Sequence, residues 1–386
     1  MVEVRNTEHE IKQLRLRLGI AMGAALACFA ILAGRFFYLQ VRHHADFHAL
    51  AEENRIALMP SPPVRGIIYD RRGVVLAENE SAYTLEIAPQ RVRSLEATLD
   101  AVGRIIEISR RDRLRFKRLL SDWKNFDTVP LKSRLTEDEV AKIAARRYML
   151  PGVEIKGRHI RTYPLGETAA HLLGYIGRIS KRDLQRIDDD GESTNYAGTT
   201  HIGKIGVELS YEKALHGRAG ADQVEVSAGG RVVRRLSHTP PVPGSNLILS
   251  VDIRLQALVE NWIGDRRGAL VAIEPASGEV LAFVSKPTFD PNLFVDGIDV
   301  PNWNALNDDP DRPLLNRPLR GTYPPGSTYK PFMALAALSS GTRTTDFTIY
   351  DPGFFKLGRH KFRDSQRWGR GYVDMRKSIV ESSDTY

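Results

Sequence analysis

Apolar and small residues run unbroken from Leu18 to Gly34, and after Arg35 the run resumes through Phe36, Phe37, Tyr38 and Leu39. As a helix, residues 18–39 would extend about 33 Å, enough to cross a bilayer core of about 30 Å. Arg35 falls near one end, where its long stem can snorkel to the headgroups, and the aromatic residues beside it suit an interface. The competing reading is a cleaved signal peptide cut at Ala25-Leu26-Ala27, but hydrophobicity continues well past that point. The pattern favours an uncleaved transmembrane helix. Arg5, Lys12, Arg15 and Arg17 precede the span and only Arg35 and Arg42 follow it closely. Positive-inside reasoning therefore places residues 1–17 in the cytoplasm and everything after about residue 40 outside.

Beyond the span the pattern changes repeatedly. Gln40 to Ile56 mixes polar and apolar positions as a helical continuation, stopped by Pro60, Pro62 and Pro63. Two short apolar runs flank Asp70-Arg71-Arg72-Gly73, a hairpin signal, and Ala82 to Ile87 alternates as a strand. Between residues 92 and 147, Leu95, Leu99, Val102 and Ile106, then Phe116, Leu119 and Leu120, then Val140, Ile143 and Ala144 recur at helical steps. Strand-like pieces return at Val153-Glu154-Ile155 and Arg161-Thr162-Tyr163, followed by a helix from Ala169 to Leu173. Residues 40–225 thus read as a mixed α/β domain without a catalytic constellation. Glycines and prolines from 217 to 247 mark a boundary. Past it come a strand (Leu247–Val251), a helix (Asp252–Trp262) and a hairpin (Ala269–Ile273 with Val280–Val284). The fold class is α+β, with a second domain over residues 226–386.

Composition adds limits. With 42% hydrophobic and 26% charged residues among 386, a sizeable core is available. The net charge of +8 is spread along the chain among acidic residues, which describes a solvated surface and not a nucleic-acid binder. A single cysteine, Cys28, rules out an intramolecular disulfide. His159, His171, His201 and His216 are scattered without metal-ligand spacing and read as structural.

Candidate chemistry enters at Tyr323-Pro324-Pro325-Gly326-Ser327-Thr328-Tyr329-Lys330, which contains Ser-x-x-Lys. The pattern alone is weak, since Ser121-Asp122-Trp123-Lys124 and Ser210-Tyr211-Glu212-Lys213 also match it. Only Ser327 follows a Pro-Pro-Gly turn and opens an apolar run, Phe332 to Leu338, that reads as a buried helix. A serine at a helix N-terminus lies beside unpaired N–H groups and the positive end of the dipole, which favour a developing oxyanion. A lysine three residues on shares its face, and burial there would favour a neutral amine able to take the serine proton. The bland alternative is an N-cap serine with a surface lysine. A second element weighs against it: Ser382-Ser383-Asp384 lies 55 residues downstream, at the end of a helical stretch from Met375 to Ser383.

These motifs, with Arg65-Gly66-Ile67-Ile68-Tyr69-Asp70, Gly203-Lys204-Ile205-Gly206-Val207-Glu208 and Asp290-Pro291-Asn292-Leu293-Phe294, resemble the class B penicillin-binding proteins, in particular their penicillin-binding protein 2 branch. The resemblance covers nearly the whole chain. It implies an elongated pedestal over residues 40–225 and an incomplete penicilloyl-serine transferase domain over 226–386. It implies a single-pass protein of the bacterial inner membrane, with its bulk in the periplasm and no cofactor. The activity implied is peptidoglycan D,D-transpeptidation during elongation, with D-Ala-D-Ala stem peptides as substrate and β-lactams as inhibitors. A SEDS-family glycosyltransferase and a rod-complex scaffold protein are the implied partners. In that scheme Ser327 is the nucleophile, Lys330 the general base, Ser382 a proton relay and Asp384 a substrate-binding residue in place of the family's Asn.

The chain departs from that pattern twice. No Lys-Thr-Gly or Lys-Ser-Gly occurs, so the expectation is a truncated piece, or a chain lacking the rest of the domain, that does not turn over by itself. Some relatives hold zinc through two Asp, one His and one Cys. Asp351 and Asp364 match the carboxylates, but Arg370 and Ser383 stand at the other positions, and His360 is a weak substitute, so no metal is expected. A non-catalytic morphogenesis scaffold and a β-lactam sensor or β-lactamase are the rival readings.

Overall fold

The computed structural model describes residues 7–43, 56–121, 128–226 and 232–386. The chain divides into two compact units, Met1–Pro318 and Leu319–Tyr386.

In the first unit, one helix spans Thr7–Phe37 and passes into a π-helical turn, Tyr38–Arg42. Among the described residues it is the one helix long and apolar enough to cross a membrane. The expected helical continuation falls mostly outside the described residues; its last residue, Ile56, instead opens a strand, Ile56–Ser61.

The centre of this unit is a long strand, Val75–Ile87. The sequence pattern marks its two ends, the apolar hairpin run through Ala77 and the alternation from Ala82, because Glu78, Asn79 and Glu80 separate them. It pairs antiparallel with Val153–Thr162 from Glu78↔Thr162 to Ile87↔Val153, merging the two pieces expected at 153–155 and 161–163. On its other side lies Val129–Leu135, a strand the pattern does not show, since Pro130 and Lys132-Ser133-Arg134 read as a break. The expected hairpin forms: Ile68–Tyr69 pairs with Val75 and Ala77, and Asp70 Oδ1 accepts hydrogen bonds from Arg72 N and Val74 N.

The helices Leu95–Gly103, Arg110–Ser121 and Glu137–Ala145 bury Leu99, Val102, Phe116 and Ile143 against Leu85, Ile87, Leu131 and Val153 of the sheet. Burying one such side chain is worth about 1.5–3 kcal/mol, so this stripe is a principal stabiliser of the unit. The segment read as a boundary is folded. Gly220–Val226 and Val232–Thr239 pair with each other, and the first also pairs with Ile56–Ser61. The later strand, helix and hairpin match the expected pattern at Leu247–Ile248, Ile253–Ile263 and Gly268–Ile273 with Val280–Lys286.

Three of the sequence motifs meet in a buried ion cluster. Arg65 donates to Glu208 and Glu212, both at 2.7 Å, and Arg161 Nε donates to Glu208 Oε1 at 2.8 Å. Tyr163 OH donates to Glu208 at 3.1 Å, while Asn292 clamps the Tyr163 backbone through both its N–H and its C=O. Burial alone would push the Glu208 carboxyl up, but Arg65 and Arg161 hold it below the usual range.

The second unit is small. Helix Lys330–Ser339 is followed by the strand pairs Ile349–Asp351 with Gly371–Val373 and Phe354–Leu357 with His360–Arg363, then helix Met375–Val380. The apolar run at 332–338 is helical but not buried: Phe332 is 67% and Leu335 62% exposed. A helix apolar on every side needs cover on every side, and among the described residues this one has no buried position.

Candidate active site

Gly326 takes φ +57°, a left-handed turn that suits glycine, and a 3₁₀ turn, Gly326–Tyr329, leads into the α-helix at Lys330. Ser327 therefore stands one turn before the α-helix, and Lys330 is its first residue. Ser382 reaches the same place from the helix Met375–Val380. That helix ends as a Schellman motif, with Ser383 N bonded to Ser378 O at 2.9 Å and Ser382 N to Ile379 O at 3.4 Å. The left-handed residue of that motif is usually glycine; here it is Ser382, at φ +57°. A serine there costs backbone strain, of order 1–2 kcal/mol, and supplies a hydroxyl that glycine lacks.

The three side chains join in one line. Lys330 Nζ donates to Ser382 Oγ at 3.1 Å, and Ser382 Oγ donates to Ser327 Oγ at 2.6 Å. Ser327 is exposed. Asp384 forms an ion pair with Lys330 at 2.6 Å, the lysine side chain 20% and the aspartate 50% exposed. The sequence pattern pictures Lys330 as a buried lone amine; the structure gives it a carboxylate partner. Neither chance match enters this arrangement: Ser121 donates to Arg118 O at the end of its own helix, and Ser210 lies on the short helix Gly206–Ser210.

Behind the hydroxyls is a second buried ion cluster. Asp351 and Asp364, read from sequence as half of a zinc set, converge on Arg370, whose side chain is 9% exposed. Arg370 Nη1 pairs with Asp364 Oδ1 and lies 3.7 Å from Asp351 Oδ2. Asp364 Oδ2 accepts from Asp384 N at 2.6 Å, and Asp351 Oδ2 accepts from Ser383 Oγ at 3.0 Å. Burial would raise the Asp364 carboxyl, but hydrogen bonds from Arg370 and from the Gln366 and Asp384 amides hold it well below the usual range. Gly369 fits where a side chain would not: an added Cβ would lie 2.1 Å from Asp351 O.

These residues do not suit zinc. A guanidinium is no ligand, and its charge occupies the point where the carboxylates meet. His360 lies on an exposed strand with its ring edge-on to Phe362, and among the described residues no group of three or more His, Cys, Asp or Glu is placed to hold a metal. Sequence reasoning noted Arg370 only as unable to replace a histidine. Its hold on both carboxylates, and the strain at Ser382, carry no local sequence signal.

Residues 60–249 match the penicillin-binding protein dimerisation domain, and residues 268–386 match the penicillin-binding protein transpeptidase domain. The peptidoglycan D,D-transpeptidase MrdA of Escherichia coli strain K12 is 41% identical over 369 residues, covering 95% of this chain and 58% of the relative. The chain thus spans a little over half the length of that relative. The fold is similar to PBP2 from Helicobacter pylori, solved in complex with MreC, with TM-score 0.72 and 29% identity over 85% of this chain and 61% of that one. It is also similar to Pseudomonas aeruginosa PBP2 solved in complex with WCK 5153, with TM-score 0.57 and 36% identity over 86% and 52% of the two chains. With both domain types in order along one chain, and with relatives of one kind matching nearly all of it, this protein belongs to the class B penicillin-binding proteins of the PBP2/MrdA type.

Proposed function

We propose that the protein is a peptidoglycan D,D-transpeptidase that works through an acyl-enzyme on Ser327. The observation that carries this reading is the line of hydrogen bonds from Lys330 through Ser382 to Ser327. Once Lys330 has given up its ammonium proton to solvent, which opens its ion pair with Asp384, the two hydroxyl hydrogens turn round, so that Ser327 donates to Ser382 and Ser382 to the amine. Ser327 Oγ then attacks the penultimate D-Ala carbonyl, its proton passes toward Lys330, and the tetrahedral oxyanion forms beside the Ser327 N–H. Collapse breaks the peptide bond, and Ser382 returns the proton to the departing D-Ala amine. An amine of a neighbouring stem peptide attacks the ester, releases Ser327 and completes the cross-link. A β-lactam acylates the same oxygen. Carboxypeptidase activity is the same ester transferred to water.

In the same reading residues 18–39 cross the inner membrane, residues 1–17 are cytoplasmic, and the pedestal (40–225) and transferase domain (226–386) face the periplasm. The basic residues before the span support that orientation. Asp384 binds substrate, and no metal or cofactor takes part. Without a Lys-Thr-Gly or Lys-Ser-Gly element, the 386 residues alone do not turn over. The partners are a rod-complex scaffold protein, supported by the MreC complex of the Helicobacter pylori relative, and a SEDS-family glycosyltransferase.

The test separates enzyme from scaffold. Cells depleted of the protein and supplied with Ser327→Ala at wild-type abundance should lose rod shape and lose the cross-links made during elongation. Normal shape and cross-linking in those cells would contradict the catalytic reading and leave a scaffold.

A further inference from the structure

We propose that Arg370 is a positioning residue for acylation at Ser327: it holds Asp351 and Asp364 together so that they fix the turn carrying Ser382 and Asp384. The inference rests on the transpeptidase reading above and adds to it a residue that touches neither the nucleophile nor the substrate.

The geometry runs outward from the guanidinium. Asp364 pairs with Arg370 through Oδ1 and accepts the Asp384 amide through Oδ2. Asp351 approaches Arg370 through Oδ2, and that oxygen also accepts the Ser383 hydroxyl. Its Oδ1 accepts Gly353 N at 2.7 Å, which fixes the carboxylate at the end of the strand Ile349–Asp351. The two carboxylates thus grip two successive residues of one turn, and the residue before them is Ser382. Ser382 sits in a backbone region that a serine does not favour; the helix-end bonds of Ser382 N and Ser383 N set it there, and the two carboxylates hold the residues that follow. The set hydroxyl is 2.6 Å from Ser327, and the Asp384 carboxylate is 2.6 Å from Lys330.

Arg370 is the charge that makes this grip possible. Asp351 and Asp364 are buried and face the same point. Two carboxylates there repel each other unless a cation lies between them. Glu381 adds a third carboxylate 3.9 Å from Arg370, and Lys377 turns away to donate to the Arg370 and Tyr372 carbonyls. Arg370 is therefore the cation facing the carboxylates of the cluster. Its planar fork meets Asp364 and also donates to Ser365 Oγ at 3.2 Å, a contact a lysine would not reproduce.

The experiment is the kinetics of fluorescent-penicillin acylation on the full-length protein in native membranes, resolved into pre-acylation affinity and acylation rate constant. In Arg370→Met the rate constant should fall about 100-fold, the scale of a small misplacement of reacting groups, with the affinity unchanged. Arg370→Lys should recover part of that loss, because it restores the charge but not the fork. Loss of fold alone would lower the labelled fraction without slowing the protein that still binds. Should Arg370→Met fail to fold, Ser383→Ala, which frees one grip of the turn while keeping the cluster's charge, should slow acylation about tenfold. Wild-type rates in the folded Arg370→Met protein, or in Ser383→Ala in its place, would overturn the positioning role. An unlabelled wild type would instead overturn the transpeptidase reading beneath it.

Discussion

Arginine and carboxylate are buried together in both units, and the two clusters are built for different ends. Around Glu208 every surrounding group is structural: two arginines, a tyrosine hydroxyl and the Gly66 carbonyl close on one another, and nearby strands and helices supply the apolar cover. Around Arg370 the apolar cover is thin. The buried residues of that unit are Asp351, Gly353, Asp364, Val373, Met375, Ser378 and Ser383, more polar than apolar. The cluster there ends on the strained Ser382 and, through its hydroxyl, on the exposed Ser327. A buried ion network costs desolvation wherever it is placed. In the first unit the return is one fixed arrangement of strands; in the second it is the placement of a hydroxyl to within hydrogen-bond distance of another.

Perturbing each cluster tests that contrast, and the largest effect belongs to the first unit. Glu208→Ala would strand Arg161, whose side chain is 1% exposed, and should cost about 3–5 kcal/mol, read by chemical denaturation of the full-length protein. If Glu208→Ala left stability intact, the Glu208 cluster would not be the fastening described.

Acid should also separate the units. Burial pushes His171 from 6.5 down to about 4, and its Nε2 has no hydrogen-bond partner. A base with a lowered folded-state value is held neutral by the fold, so the unfolded chain binds the proton first. Stability is full above pH 6.5 and falls as the pH drops toward 4, by about 3 kcal/mol at the lower limit. Asp364 works lower on the scale: its carboxyl is depressed, so its contribution persists until the pH falls below the ordinary carboxylate range. Hydrogen exchange between pH 7 and 4 should therefore show the core around His171 loosening before the turn at Ser382. The reverse order would count against the contrast.

Ser382→Gly sharpens it further. Glycine relieves the left-handed strain and should raise stability by about 1 kcal/mol, while loss of the relay hydroxyl slows acylation at least tenfold. A variant that lost stability and kept its rate would contradict the assignment of strain to function. The smallest effect is expected for Asp384→Asn. Its ion pair with Lys330 is half exposed on the carboxylate side, so acylation should change by no more than about fivefold.

The sequence shows this contrast unevenly. Leu95, Leu99 and Val102 reveal their helix because one face is buried and the local pattern records it, and the apolar run Ala269–Ile273 beside its turn reveals a strand that is only half-buried. The strands Gly220–Val226 and Val232–Thr239 are hidden, since polar residues interrupt both and the first of them pairs with the distant Ile56–Ser61. At the site, Ser327 and Lys330 are visible as a motif, and Ser382 becomes visible through its order and spacing. Arg370 is not visible, because its meaning lies in which carboxylates the fold brings to it. Nor is the strain at Ser382, because serine is an ordinary residue until the helix end forces its φ positive.

The central claim, that Ser327 is the acylated nucleophile, is tested most directly by mass mapping of the peptide labelled when native membranes are treated with a penicillin. The expected result is one stable adduct on the peptide containing Ser327, absent from Ser327→Ala. A folded, full-length protein that takes no label, or takes it on another residue, would contradict the account.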